Sequence, residues 1–314
     1  MIPFFFFLFG IVIGSFLNVC ICRIPEGESV VSPASRCPRC KTPIQPYDNV
    51  PILGWLWLGG KCRTCGLTIS PMYPIIEFLT GAIFVLTYLK FDFTLPTFKW
   101  LFFSCLLIIL IVTDLRVRLL PDAVVWPGFG IGLVFATKIP ADDPAGYMII
   151  AYLERAVPPG FYQNLYQLHR PVLPYLNAAL GLLDALLGAA FGAFLLWAAA
   201  ALYKFFRKRE GMGMGDVKMM AMVGAFLGVS GAFLTILFGT LLGSVIGVAL
   251  IAGLYALGWK RELAVRANRR GLGQINSLRW AIVTKYQIPL GTFLGVAALF
   301  VVYALPYLES LLLP

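Results

Sequence analysis

The composition of this chain lies far outside the range of soluble domains. Its 314 residues are 60% hydrophobic and only 13% charged, with 25 phenylalanines and a mean hydropathy of +0.84, which excludes a soluble globular domain and indicates a polytopic membrane protein. The formal net charge of +10 requires no nucleic-acid partner, because membrane topology and anionic membrane lipid account for most of it.

Eight apolar segments are long enough, or nearly so, to cross a bilayer, for which about 20 residues are needed. The first segment lacks the basic start and the cleavage site of a signal peptide, so we expect it to remain as a membrane helix. The predicted fold class is therefore an all-α polytopic membrane protein with about eight transmembrane helices. The expected spans are residues 4–22, 75–89, 99–113, 123–137, 176–203, 217–230, 232–258 and 286–306.

Residues 23–71 interrupt the apolar pattern with prolines, glycines and four cysteines, and they predict a compact non-helical insert. A segment this short needs a metal or disulfides in place of a large core. Its cysteines form two C-x2-C pairs separated by 21 residues, Cys37/Cys40 and Cys62/Cys65, a spacing typical of a zinc site. Four thiolates leave no open position, so the zinc is expected to be structural. A redox dithiol and unligated cysteines are the alternatives.

Three carboxylates fall at the ends of predicted spans. Asp114 ends the third span, Asp122 begins the fourth, and Asp216 follows the glycine-rich run 211–215. An ionisable group at a membrane edge is a functional hypothesis by default, although an N-cap role would also explain Asp122 or Asp216. A helix C-terminus disfavours negative charge, so Asp114 has no capping value. We therefore favour Asp114 over Asp122 as the partner of Asp216.

Two carboxylates that approach closely share one proton, so that one acts as a base toward water and the other as an acid. This is the aspartic-protease arrangement. The single histidine, His169, is predicted on the opposite side of the membrane, which leaves Ser–His and Cys–His schemes without their base. A proton-coupled transporter or zinc-responsive sensor, with Asp184 joining Asp114 and Asp216 in a relay, is the alternative of a different class.

The basic residues give the predicted topology a direction. Of the 25 lysines and arginines, 20 fall on one side of the eight spans, and the positive-inside rule assigns that side to the cytosol. The insert and the three carboxylates then lie at the cytosolic membrane edge. The polar loop 138–174 is expected outside, and the basic stretch 259–285 is expected to lie on the cytosolic membrane surface.

Motifs over most of the chain resemble those of the type IV prepilin peptidase family. The first helix and its exit resemble the family's opening helix, and the cysteine insert resembles its zinc domain almost continuously. Two further motifs resemble its aspartate motifs, and one resembles its last helix. The segments that carry the resemblance are residues 14–25, 37–77, 114–122, 213–218 and 288–293.

The resemblance implies a G-x-G-D intramembrane aspartic protease in which Asp114 and Asp216 are catalytic and the four insert cysteines bind zinc. It also implies cleavage of the basic leader of type IV prepilins or type II secretion pseudopilins at the bacterial inner membrane, followed by N-methylation with S-adenosylmethionine. No nucleotide-binding fingerprint marks the methyl-donor site, so no residue is assigned to it and a peptidase without methyl transfer stays open. The expected regions are a first helix (1–22), a cytosolic zinc domain associated with methyl transfer (23–71) and a peptidase core (72–314).

Overall fold

The protein is helical throughout the part of the chain that the computed structural model describes, which is residues 1–139, 173–208, 213–256 and 289–304. These ranges contain two isolated β-bridges but no strand. Residues 140–172 of the predicted outside loop and the basic stretch 259–285 lie outside the described residues. The helices are α1 (Ile2–Arg23), α2 (Leu53–Trp57), α3 (Met72–Phe91), α4 (Leu95–Val117), α5 (Asp122–Ala136), α6 (Leu173–Arg207), α7 (Met214–Ala256) and α8 (Leu290–Tyr303).

The predicted all-α membrane fold is confirmed for these residues. Five helices (α1, α3, α4, α6 and α7) are long and apolar enough to cross a membrane, and α5 and α8 are shorter apolar helices. Many large apolar side chains point outward, among them Phe4, Phe9, Phe78 and Phe194. Such a surface suits lipid, because exposed apolar area on this scale is unfavourable in water.

Helix α7 accounts for two of the predicted spans, because the chain turns back at Gly228. The backbone there is far from helical, with φ 70° and ψ −169°. A Cβ atom built at Gly192 on α6 would lie 2.9 Å from the carbonyl oxygen of Met220 and 3.5 Å from Cβ of Ala232. In one straight helix those residues would be about 18 Å apart, so residues 214–227 and 229–256 must be two separate arms. Without the short α2, the described residues therefore contain the eight apolar helical segments that the sequence predicts.

The core lies around α4, which packs against α1, α3, α5 and α8. Phe103, Leu107 and Leu110 of α4 are fully buried, together with Met219 of α7 and Leu294 of α8. Glycines allow the closest approaches between helices: the Cβ position of Gly188 on α6 lies only 2.5 Å from the carbonyl oxygen of Gly224 on α7. This packing brings the end of α4 and the starts of α7 and α8 to one end of the helix bundle.

The cysteine insert between α1 and α3 is largely irregular, as predicted, but it is not entirely non-helical. It contains two single 3₁₀ turns, at Ile24–Glu26 and Pro46–Asp48, and the five-residue helix α2. Gly54 permits this helix, because a side chain there would clash with the carbonyl oxygen of Asp48. A five-residue helix has too little periodicity to be recognised in a segment rich in proline and glycine.

Candidate active site and metal centre

Asp114 lies in the last turn of α4, where the start of α8 buries its carboxylate. The residue is only 6% exposed. Its Oδ2 accepts hydrogen bonds from the backbone N–H of Thr292 at 2.7 Å and from the Thr292 hydroxyl at 2.9 Å. Helix α4 ends beyond it because Arg118 adopts a left-handed conformation (φ 55°) and donates its N–H to the Asp114 carbonyl at 2.9 Å. Both the backbone and the side chain of Asp114 are therefore held in place.

Asp216 reaches the same place from the first turn of α7. Its carboxylate accepts a hydrogen bond from the backbone of Gly291 and interacts electrostatically with Asp114. A Cβ atom built at Gly291 would lie 3.1 Å from Oδ2 of Asp114 and 3.1 Å from Oδ1 of Asp216. The two oxygens are therefore no more than twice that distance apart. Position 291 has room for both carboxylates because it carries no side chain.

The N-terminus of α8 donates to both acids. Because α8 begins at Leu290 after Pro289, the N–H groups of Gly291 and Thr292 belong to the first turn, where backbone donors have no acceptor within the helix. One of these donors serves Asp216 and the other serves Asp114. The partial positive charge of a helix N-terminus also stabilises nearby carboxylates. Two acids from different helices thus share one preformed anion-binding site.

Asp122 has a different partner. Nζ of Lys218 lies 2.9 Å and 2.8 Å from its two carboxylate oxygens, and its side chain is 56% exposed. Pro121 is the N-cap of α5, and no side chain caps that helix, so the N-cap interpretation of Asp122 is wrong. Of the two candidate partners for Asp216, Asp114 is the one that shares the Gly291 position with it.

The four cysteines of the insert converge on one point. Sγ of Cys37 lies 3.7 Å from Sγ of Cys65, Sγ of Cys40 lies 4.0 Å from Sγ of Cys62, and all four sulfurs lie within 4.8 Å of one another. Sulfurs about 2.3 Å from a tetrahedral zinc ion are ~3.8 Å apart, whereas the sulfurs of a disulfide are about 2.05 Å apart. The four thiols are free, and their spacing suits a tetrahedral metal ion.

The two cysteine pairs are presented by matching backbone turns. In each turn the N–H of the first cysteine donates to a carbonyl five residues later, from Cys37 to Thr42 at 3.0 Å and from Cys62 to Leu67 at 2.8 Å. The residue after each pair has a left-handed backbone, with φ 58° at Lys41 and 67° at Gly66. Such turns leave N–H groups directed at the sulfurs, which favours the thiolate that a metal requires.

Local hydrogen bonds also shift the pKa values of side chains in the insert. The hydroxyl and then the backbone N–H of Thr42 lower the pKa of the Cys40 thiol to about 6, and two backbone N–H groups lower the pKa of the Cys62 thiol. The Arg63 guanidinium binds both carboxylate oxygens of Asp48, at 2.8 Å and 2.5 Å, and lowers the pKa of that carboxyl. This ion pair connects the turn before α2 to the second cysteine pair.

The insert is attached to the membrane helices through Glu77 of α3. Oε2 of Glu77 accepts a hydrogen bond from the backbone N–H of Ile52 at 2.7 Å, and the Ser15 side chain of α1 also hydrogen-bonds this carboxylate. Glu77 is 7% exposed. Ile52 has a positive φ of 62°, which is rare for a β-branched residue. The contact therefore fixes an unusual backbone position immediately before α2.

Comparison with known proteins gives two family matches. A model of the bacterial peptidase A24 N-terminal domain matches residues 8–91, and one of the type IV leader peptidase family matches residues 169–248. The chain is 35% identical to a prepilin leader peptidase/N-methyltransferase of Klebsiella pneumoniae over 230 residues, covering 71% of this chain and 84% of that protein. A protein of the same name from Bacillus subtilis is 32% identical over 251 residues, covering 78% and 82%. No solved structure matches this chain.

Proposed function

The chain belongs to the type IV leader peptidase family, and from this membership we propose that Asp114 and Asp216 are the catalytic pair with which it cleaves prepilins. The activity is that of a prepilin leader peptidase and N-methyltransferase. The observation that carries the catalytic assignment is the convergence of both carboxylates on Gly291. Hydrolysis of a peptide bond by a pair of aspartates needs one carboxylate as a base and one carboxylic acid as a proton donor, both in contact with the same water molecule.

The hydrolysis follows from two carboxyl groups that hold one proton between them. The ionised aspartate takes a proton from water as the water oxygen attacks the scissile carbonyl carbon, and the protonated aspartate donates to the carbonyl oxygen. When the tetrahedral intermediate collapses, the C–N bond breaks, the proton taken from water passes to the leaving amine, and one hydroxyl of the intermediate returns its proton to the other aspartate. Thr292 and Gly291 hold the carboxylates of Asp114 and Asp216 in position during the reaction, because the donating N–H groups belong to the backbone of α8.

The proposed position of the site is the cytosolic face of the bacterial inner membrane. The positive-inside rule assigns this face to the end of the bundle where α4 ends and α7 and α8 begin. A prepilin has a basic leader in the cytosol followed by an apolar helix in the bilayer, so its scissile bond would lie at the depth of Asp114 and Asp216. Gly213, three residues before Asp216, leaves space for extended substrate backbone, because a Cβ atom there would meet nothing closer than 3.9 Å and glycine tolerates close approach.

Zinc is the proposed ion for the four cysteines, because four sulfurs within 4.8 Å of one another, two pairs of them at 3.7 and 4.0 Å, suit its tetrahedral geometry. A site closed by four sulfurs has no open position for a reactant, so its role is to stabilise the insert. S-adenosylmethionine supplies the methyl group, and no residue is assigned to it. We divide the chain into a first helix (1–22), a zinc insert associated with methyl transfer (23–71) and a peptidase core (72–314).

The proposal is tested by incubating the purified protein in nanodiscs with a prepilin and labelled S-adenosylmethionine. A shortened, labelled product is expected. An unlabelled shortened product would leave a peptidase alone, and no shortened product would overturn the enzyme assignment and favour the transporter or sensor.

Three asparagine variants locate the catalytic pair. Asp114→Asn and Asp216→Asn are each expected to abolish cleavage while the protein still accumulates in the membrane, because either change removes the acid or the base. Asp122→Asn is the matched control and is expected to retain cleavage, since Asp122 contacts Lys218 and not the pair. Full activity in Asp114→Asn with loss in Asp122→Asn would reverse the assignment.

A further inference from the structure

We propose that α2 of the insert is an interfacial anchor whose apolar side chains lie in membrane lipid, on the face of the bilayer that carries the insert. The proposal concerns Leu53, Leu56 and Trp57, and it stands apart from the catalytic assignment. It gives the insert a second attachment to the membrane, in addition to the peptide links to α1 and α3.

The exposure of α2 is the first observation. Leu53 is 62% exposed, Leu56 is 59% exposed and Trp57 is 85% exposed. Residues spaced three and four apart lie on one face of a helix, so these three side chains form one apolar surface. The other tryptophan of α2 behaves differently: Nε1 of Trp55 donates to the Ile69 carbonyl at 3.1 Å. Trp55 therefore holds α2 to the rest of the insert, and the three apolar residues need another environment.

The depth of α2 is the second observation. Ile52, the residue before α2, donates its N–H to Glu77 at 2.7 Å. Glu77 lies five residues into α3, a helix long and apolar enough to cross a membrane, and thus roughly 7 to 8 Å along that helix from its start. The neighbours of Glu77 on α3 include Ile75 and Phe78, which are exposed apolar residues. Helix α2 therefore begins level with the membrane-spanning part of the protein.

Lipid suits this surface better than another protein does. Stable protein–protein interfaces bury roughly 800 Å² on each partner, which is far more than one face of a five-residue helix offers. Tryptophan and leucine at the boundary of the hydrocarbon region are typical of segments that lie in the membrane interface. The insert also follows Arg23 and carries Lys61 on its exposed surface. These positive charges favour contact with anionic lipid headgroups.

Photo-crosslinking to lipid tests the proposal. The full-length protein is placed in nanodiscs of phosphatidylethanolamine and phosphatidylglycerol that contain a phospholipid with a diazirine on its acyl chain, and adducts are mapped by mass spectrometry. We expect adducts on Leu53, Leu56 and Trp57 as well as on the lipid-facing Phe78, and none on Trp55. Labelling of Phe78 without labelling of α2 would overturn the proposal. Loss of the α2 labelling alone, on adding a prepilin or on placing two copies of the chain in one nanodisc, would also overturn it, because a protein would then cover this face instead of lipid.

A variant checks that the adducts report the apolar face. Leu53→Ser, Leu56→Ser and Trp57→Ser are combined, and the zinc content of the purified protein shows whether the insert still folds. With zinc retained, adducts on α2 are expected to be lost while those on Phe78 remain. Unchanged α2 labelling in the zinc-loaded triple variant would contradict the role of these side chains. If the triple variant loses zinc, Trp57→Ser alone is expected to lose the adduct at position 57.

Discussion

Gly291 offers the most direct test of how the two acids are held. In Gly291→Ala the new Cβ atom would lie 3.1 Å from a carboxylate oxygen of Asp114, 3.1 Å from one of Asp216 and 3.0 Å from Cδ1 of Leu120. All three distances are several tenths of an ångström shorter than ordinary contacts of about 3.5 to 4.0 Å. Both carboxylates and the Leu120 side chain must therefore shift away from the new methyl group by a few tenths of an ångström.

The expected cost is kinetic. A displacement of about 1 Å in a catalytic group lowers the rate by ~100-fold. A shift of a few tenths of an ångström should therefore lower kcat for cleavage by roughly 4- to 10-fold. Each factor of ten corresponds to about 1.4 kcal/mol in the activation free energy. The KM for the prepilin is expected to change little, because the added methyl group acts on the acids.

The assay is cleavage of a purified prepilin by the nanodisc-embedded variant, with kcat and KM determined separately. Gly130→Ala is the matched control, since a Cβ atom at Gly130 on α5 would meet nothing within 4 Å. That variant is expected to retain full activity. Wild-type kcat in Gly291→Ala would refute the inferred position of the acids, and an equal loss in Gly130→Ala would show that the effect is not specific to the site.

Three further predictions concern other contacts. Thr292→Val removes the 2.9 Å hydroxyl bond to Asp114. Since a hydrogen bond to a charged group contributes ~1.5–3 kcal/mol, the variant is expected to lower kcat by roughly 10- to 150-fold, and Thr292→Ser should restore the activity. Elemental analysis should find one zinc ion per chain, and the double variant Cys37→Ser, Cys62→Ser should bind none. Zinc retained by the double variant would refute the assignment of the cysteines as ligands. Glu77→Ala should reduce methylation relative to cleavage, whereas Glu77→Gln, which still accepts the Ile52 N–H, should not; equal ratios would contradict this.

Features that depend on local pattern could be predicted from the sequence. Hydropathy and length together predict the eight apolar segments, including the two arms of α7, because the continuous apolar stretch 219–258 is about twice as long as one span requires. The four cysteines were predicted to meet from their spacing, since two C-x2-C pairs on short loops have few other arrangements. Depth brings Asp114, Asp122 and Asp216 to the same membrane edge, and the choice of Asp114 over Asp122 rests on its lack of capping value at a helix C-terminus.

Features that depend on packing between distant segments could not be predicted in the same way. Thr292 lies far from Asp114 in sequence, and neither a threonine nor a glycine by itself predicts a contact with a distant carboxylate. Only the resemblance of residues 288–293 to a family motif indicated that the start of α8 is important. The Lys218–Asp122 ion pair depends on how closely α5 packs against α7. The N-cap interpretation of Asp122 failed because α5 begins one residue earlier than expected: Pro121 is the N-cap and Asp122 is the first helical residue, whose carboxylate binds Lys218.

The start of α8 explains why an acid is tolerated at the end of α4. A carboxylate at a helix C-terminus is destabilised by the partial negative charge of that helix, and Asp114 occupies such a position in its last turn. The N-terminus of α8 compensates, because its partial positive charge and its free N–H groups face the same carboxylate. The same first turn donates to Asp216. One helix end therefore fixes the separation of both acids, so a change that shifts α8 along its axis should impair cleavage even when neither aspartate is altered.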